Sequence, residues 1–314
     1  MLNWSISSDE ICSSIGSHKS KVKFILKTKD DIELLEGWIL HHLNIAGPDS
    51  LIIFDNFSTN KAVYDIYTKY KNVIKVFGWD VNHNLIHDVD FCPNLYEAIR
   101  GSCKFYSFLD TDERAYWTDG RQFFSNQKFL DHLQDKDFDL VYPGLWLINH
   151  PGSSSIYNIS DVTTRFKSEL KGGKPLIGSK VEVRKFINHN VQLISNNSIL
   201  KIEAGFIVCH LLHIYPTRRI RINISKCIAH GFCKSENEIN EIIDNKGITE
   251  LSGSFRVYVD EIAKCKSITI SNLLEPQNGQ LQIQSSGLLK FGSTDAKTML
   301  EEFASNSYSV EWKI

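Results

Sequence analysis

The sequence predicts an α/β protein with a mostly parallel central sheet flanked by helices, followed by a small C-terminal β-rich appendage. Three observations carry this expectation. Short apolar runs such as VKFIL (22–26), LIIF (51–54) and FYSFL (105–109) alternate with stretches of helical periodicity, the pattern of strands buried on both faces. The chain has 314 residues, the upper edge of what one hydrophobic core organises, so one α/β domain with an addition fits. Hydrophobic residues make up 42% and charged residues 23%, which excludes a disordered or low-complexity chain.

The elements follow in order. Residues 1–20 are polar and Ser-rich and read as a loose lead-in. VKFIL (22–26) reads as a buried strand. Asp30 and Asp31 then mark a helix start, where carboxylates suit the positive end of the dipole. Ile32, Leu35, Ile39 and Leu43 form one apolar helical stripe, and Gly47-Pro48 ends it. LIIF (51–54) is the next strand and runs into Asp55-Asn56-Phe57-Ser58-Thr59. A helix over 61–71 and the strand VIKVF (73–77) follow. A helix near 93–103 leads into FYSFL (105–109), which runs into Asp110-Thr111-Asp112-Glu113, and FDLVY (138–142) is a further strand. Beyond about residue 250, SITIS (267–271), LQIQ (281–284) and LLKFG (288–292) read as short strands before a final helix near 295–304.

Charge and composition narrow the function. Lys and Arg number 35 against 37 Asp and Glu, a net charge of −2, so no global field holds nucleic acid, and none is expected as a partner. The apolar runs fall far short of the ~20 residues a bilayer span needs. The first residues lack the apolar core of a secretory signal. Seven cysteines without a CxxC pair predict reduced thiols and a cytoplasmic protein.

In parallel sheets ligands sit at the carboxyl ends of strands, and two carboxylate-bearing loops, 55–59 and 110–113, fall there. Asp110 and Asp112, one residue apart, suit a divalent cation of the Mg²⁺ or Mn²⁺ kind, which bridges to phosphate oxygens; an acidic turn that merely ends a strand is the alternative. Asp55 suits a nucleotide's ribose or base, or equally a turn or helix cap. His41 and His42 read as surface or core residues. His210 and His213 lie three apart, so on a strand they face opposite sides and at most one points to the site. Tyr215, Arg218, Arg219, Arg221 and Lys226 form a basic run, either a solvated surface or a phosphate-capturing one. No GxSxG, GxxxxGK[ST], GxGxxG or HExxH pattern is present.

Taken together, four ordered stretches resemble glycosyltransferases of the GT-A type, in the branch related to families 2 and 92. They are KTKDDIELLEGWILHHLNIAGPDSLIIFDNFSTN (27–60), FYSFLDTDER (105–114), VTTRF with KPLIGSKVEVRKFINHNV (162–166 and 174–191), and HLLHIYPTRRIRINISK (210–226). The resemblance spans roughly residues 22–232. Thr28-Lys29-Asp30, Asn60 and Arg114 depart from the branch's usual residues, and the resemblance does not extend to the tail over 250–314.

The resemblance implies a Rossmann-like GT-A domain over 21–250, with 1–20 as lead-in and 251–314 as an accessory segment. It implies a metal-dependent, inverting transfer of a sugar from a nucleotide-sugar donor, expected to be UDP-linked, to a saccharide or lipid-linked saccharide. Surface polysaccharide, capsule or lipopolysaccharide assembly, at the inner face of the membrane with peripheral association, is the implied setting. Lys27, Asp55, Asp110, Arg218, Arg219 and Lys226 would contact the donor. Asp110, Asp112 and His213 would hold Mn²⁺ or Mg²⁺. Asp161, or else Glu182, would take the acceptor's proton, although Asp161 equally suits a helix N-cap. Nucleotidyl transfer is the alternative enzyme class, although KFILKTKDD lacks its Gly-rich loop; a non-catalytic saccharide-binding module is the third reading.

Overall fold

The computed structural model describes residues 1–118, 123–142, 144–149, 156–159, 174–187, 190–193, 201–203, 205–212, 215–245, 247–267, 282–288 and 308–309. Within them the chain divides into two compact units: Met1–Ile148 with Tyr157–His210 and Gln277–Ile314, and Asn149–Ile156 with Leu211–Pro276. That division differs from the expected boundary near residue 250.

The first unit opens with α1 (Trp4–Gly16) where the sequence suggested a loose lead-in. Trp4, Ile11 and Ile15 are buried, an i, i+7, i+11 stripe that polar serines mask in the composition. Gly78 N donates to Leu2 O at 2.8 Å, which joins the lead-in to the sheet edge. Then come β1 (Ser20–Thr28), α2 (Ile32–Ala46), β2 (Leu51–Asp55), α3 (Lys61–Tyr70), β3 (Lys75–Gly78), α4 (Pro93–Ser102) and β4 (Cys103–Leu109), with a 3₁₀ turn over His83–His87 before α4. From β1 to the end of β4 the observed order of strands and helices is the expected one.

β4, β1, β2 and β3 lie side by side and parallel, with Leu26 opposite Leu109 and Thr28 opposite Asp55. Their carboxyl ends therefore end level, at one edge. Val22, Phe24, Ile25, Leu26 and all of β2 are buried. Each large apolar side chain so covered contributes about 1.5–3 kcal/mol, and helices on both faces supply the cover. In α2 the face Leu35, Trp38, Ile39 and Ile45 turns into this core.

Past β4 the chain adds β5 (Glu113–Thr118), β6 (Phe123–Phe124), α5 (Gln127–Asp131), β7 (Leu140–Tyr142), β8 (Leu145–Asn149), β9 (Ile156–Ile159), β10 (Leu176–Gly178), β11 (Val183–Ile187), β12 (Asn190–Leu193), β13 (Lys201–Ile202) and β14 (Phe206–His210). β10 runs antiparallel to β4 and to β7, which extends the parallel sheet. β14 runs antiparallel to β5, with His210 opposite Glu113.

The second unit carries α6 (Pro216–Ala229), α7 (Glu236–Asp244) and α8 (Gly253–Lys266) around Cys227, Cys233, Ile239, Val259 and Ile262. A helix thus occupies the beginning of the segment expected to be β-rich; Val259, Ile262 and Cys265 are buried along it at helical spacing. In the first unit, β15 (Gln282–Leu288) contains most of the expected LQIQ strand, and β16 spans Tyr308–Ser309. Residues 268–271 and the expected helix near 295–304 lie outside the described residues. All seven cysteines are free thiols. Among the described residues no helix is long and apolar enough to cross a membrane.

Candidate active site at the carboxyl edge of the parallel sheet

The acidic turn after β4 is held rigidly. Glu113 N donates to Asp110 O at 3.0 Å, closing a four-residue turn, and Asp110 N donates to Glu113 Oε2 at 2.7 Å. Thr111 Oγ1 lies 3.1 Å from Thr28 Oγ1, tying the turn to the end of β1. Arg114, which departs from the aromatic of the resembled pattern, is buried and donates from Nη1 to Thr111 O at 2.7 Å and from Nη2 to Leu34 O at 3.2 Å. Its guanidinium satisfies carbonyls that a buried turn otherwise leaves orphaned.

Lys174 is the residue that gives the turn its electrostatics. Its ammonium lies 2.9 Å from Asp110 Oδ2 and 3.7 Å from Glu113 Oε2, with only 11% of its side chain exposed. Burial works against its charge, but the two carboxylates outweigh that and raise its pKa. Desolvation opposes ionisation of Asp110 as well, and Lys174 reverses it, so Asp110 stays below the usual carboxylate range. Glu113 differs: wholly buried, it is pushed up to about 7 because burial prevails over the pull of Lys174. Its Oε1 has no hydrogen-bond partner among the described residues.

Asp112 is buried and faces His210 on β14, with Oδ2 3.4 Å from Nε2. The histidine that the described structure brings to the acidic pair is therefore His210. His213, expected in that role, lies outside the described residues, as does Asp161. The donor set of a carboxylate and an imidazole, with the half-exposed Asp110 beside it, fits a hard-to-borderline divalent cation. Asp110 itself is paired with Lys174, and among the described residues no three His, Cys, Asp or Glu side chains are gathered as a metal cluster.

Lys27, near the end of β1, donates to His83 O at 3.0 Å and lies 3.5 Å from His87 Nε2. Burial lowers its pKa to about 8, against the pull of Asp110. His87 falls to about 3, from burial first and then from the Lys27 ammonium.

The loops after β1 and β2 interlock. Asp30 accepts from Thr59 N at 2.7 Å and Asn60 N at 2.8 Å, while its own N donates to Ser58 Oγ at 2.8 Å. Asp30 thus clamps the neighbouring loop, a role beyond the helix start expected of it. Asp55 is 1% exposed; Oδ2 accepts from Ser58 N at 3.0 Å and Oδ1 from the Tyr67 hydroxyl at 2.9 Å. Of the two readings of Asp55, this is the geometry of the turn.

The remaining expected residues have the following surroundings. Arg219 is committed to Glu261 Oε2, with Nε at 2.8 Å, and Asn223 Nδ2 shares that oxygen at 2.8 Å. Lys226 lies over the Tyr258 ring, 5.5 Å from its centre, and Arg218 is buried; all three belong to the second unit. Glu182 is exposed beyond the turn in which Ser179 N donates to Lys104 O at 2.9 Å. That turn lies at the amino end of β4, a strand's length from Asp110. Lys174 was missed because it is 64 residues from Asp110; His210 was one of the two histidines weighed, but its partner Asp112 is 98 residues away and the choice fell on His213, while Glu113, inside the Asp-Thr-Asp-Glu run, had a local signal.

No protein-family model matches the chain, and no curated protein matches it. Among solved structures, it is similar to S. aureus TarS in complex with UDP-GlcNAc, at 16% identity over 41% of this chain and 34% of that one, with a TM-score of 0.28. It is similar to the mannosyltransferase PcManGT from Pyrobaculum calidifontis in complex with GDP-Man and Mn²⁺, at 11% identity over 80% and 71% of the two chains, with a TM-score of 0.30. A cytidylyltransferase from Leptospira borgpetersenii is similar at 11% identity over 52% and 61%, with a TM-score of 0.27. The chain spans about a third of the length of the TarS chains it matches. At these scores the likeness carries no argument about function, which follows from the side chains of the site.

Proposed function

We propose that the protein is a nucleotide-sugar-dependent glycosyltransferase of the GT-A type that moves a sugar to a saccharide or lipid-linked acceptor. The observation that carries the reading is the acidic turn at the carboxyl end of β4: Asp110 and Asp112 stand at the edge where parallel sheets bind ligands, with Lys174 and His210 against them. The resemblance of residues 22–232 to the family 2 and 92 branch supports it, and from that resemblance come the inverting course, a UDP-linked donor and surface polysaccharide assembly at the inner membrane face.

Asp112 and His210 would hold Mn²⁺ or Mg²⁺; the resemblance adds His213 to that set. When bound, such an ion supplies Lewis acidity to the departing diphosphate. The chain's own contribution is preorganisation. Thr111, Arg114 and Glu113 fix the turn before any substrate arrives, so its charges need little reorganisation as negative charge develops. Lys174 holds Asp110 ionised, and Lys27 offers a second ammonium near that carboxylate. Asp161 is the proposed acceptor base.

The test is binding of UDP, UDP-sugars and GDP-sugars with Mn²⁺ and with EDTA, for wild type and Asp112→Asn. A Mn²⁺-dependent rise in Tm, absent in the variant, is expected, since a ligand that prefers the folded state stabilises it. Equal behaviour of the two proteins with every nucleotide would remove the proposed role of Asp112.

A further inference from the structure

We propose that Phe57 is the platform on which the base of the nucleotide donor stacks, in place of recognition by the Asp55 carboxylate. The inference rests on the nucleotide-sugar reading above and goes beyond it by naming how the base is held.

Phe57 has φ 59° and is 56% exposed. A bulky side chain in the left-handed region is strained and persists only where its surroundings over-determine it. Here they do. Asn56 N donates to Thr28 O at 2.8 Å and Asn56 Nδ2 to Trp79 O at 2.7 Å. Ser58 is bonded to Asp55 and Asp30, and the Tyr64 hydroxyl donates to Ser58 O at 2.7 Å. Every neighbour of Phe57 is anchored, so the loop cannot relax, while its aromatic ring stands half in water and gains little from burial. The partner loop repeats the pattern, because Asp30 also has a positive φ, 49°, and the two loops brace one another.

An aromatic ring held outward on a rigid, strained loop is suited to stacking. Asp55, by contrast, is sealed: 1% exposed, with a bond from its own chain on each oxygen. The position fits as well. β2 lies two strands from β4, roughly 10 Å at the usual strand spacing. A nucleoside diphosphate with its base over Phe57 can therefore direct its phosphates toward Asp112 and the Lys174–Asp110 pair. Stacking accepts any base, so the ring should contribute to binding of uridine and guanosine diphosphates alike, whichever the rest of the site prefers.

The experiment measures binding of UDP, GDP and inorganic pyrophosphate in Mn²⁺ buffer to wild type, Phe57→Gly, Phe57→Asn and Phe57→Trp. Gly and Asn tolerate the left-handed backbone, so Tm should be unchanged or raised in both. The expected result is a loss of UDP and GDP affinity of about 5- to 150-fold, the range that 1–3 kcal/mol of stacking converts to. Pyrophosphate should bind all four proteins alike, and Phe57→Trp should keep nucleotide affinity. Undiminished UDP and GDP binding by Phe57→Gly and Phe57→Asn overturns the platform alone. An equal loss for pyrophosphate also overturns it, because the loop then acts without the base. If wild type binds none of the three probes, the nucleotide reading itself falls, and this inference with it.

Discussion

Glu113→Gln tests the electrostatics of the acidic turn most directly. Glu113 has no exposed surface, and its pKa rises from 4.5 to about 7 on folding, from burial above all. Between those pH values the folded protein holds a proton that the unfolded chain releases. The stability this contributes is fully present below pH 4.5 and is lost as pH rises through 7. At about 1.4 kcal/mol for each factor of ten in proton affinity, the full loss is about 3–4 kcal/mol, most of it between pH 5 and 8. Glutamine keeps the acceptor for Asp110 N and the shape of the protonated acid, but it cannot ionise. Urea unfolding in EDTA at pH 5, 6, 7 and 8 should show the variant close to wild type at pH 5. By pH 8 it should be more stable by about 2–3 kcal/mol. A difference between the two proteins that is flat across this range, or that favours wild type increasingly at high pH, would refute the reasoning.

Two further outcomes follow from buried groups. His41 and His42 are held neutral, His41 down to about 3 and His42 well below its ordinary value, by burial and then by neighbouring positive charge. The stability they contribute is present above pH 6.5 and lost as pH falls toward their folded values. A His42→Gln variant, which keeps an acceptor for Ala115 N, should therefore show a shallower fall in urea midpoint between pH 6.5 and 4; an unchanged slope counts against a neutral His42. Arg219→Ala leaves the largely buried Glu261 carboxylate without its guanidinium, a change that typically costs about 3 kcal/mol or more. Thermal unfolding should register that loss while UDP affinity holds. The reverse pattern would support the diphosphate-binding role that the resemblance implies for Arg219.

The sequence by itself determined the order of strands and helices from residue 20 to residue 109, because period-two and period-3.6 apolar patterns are local. It also placed Asp110 and Asp112 at a strand's carboxyl end, since a turn follows directly from the residues that end the strand. It misjudged α1, whose three buried residues are diluted among serines, and the helix of α8 at the start of the expected β-rich tail. Only the tertiary structure decided which charges meet. Lys174 arrives beside Asp110 because β10 returns antiparallel to β4, and His210 reaches Asp112 because β14 pairs with β5. The same holds for Asp55 and Phe57. Whether a loop carboxylate is open to a ligand or sealed by Tyr67, and whether an aromatic beside it turns outward, depends on how neighbouring loops clamp one another. Coulomb and hydrogen-bond energies act across space, and no spacing along the chain records the distances they depend on.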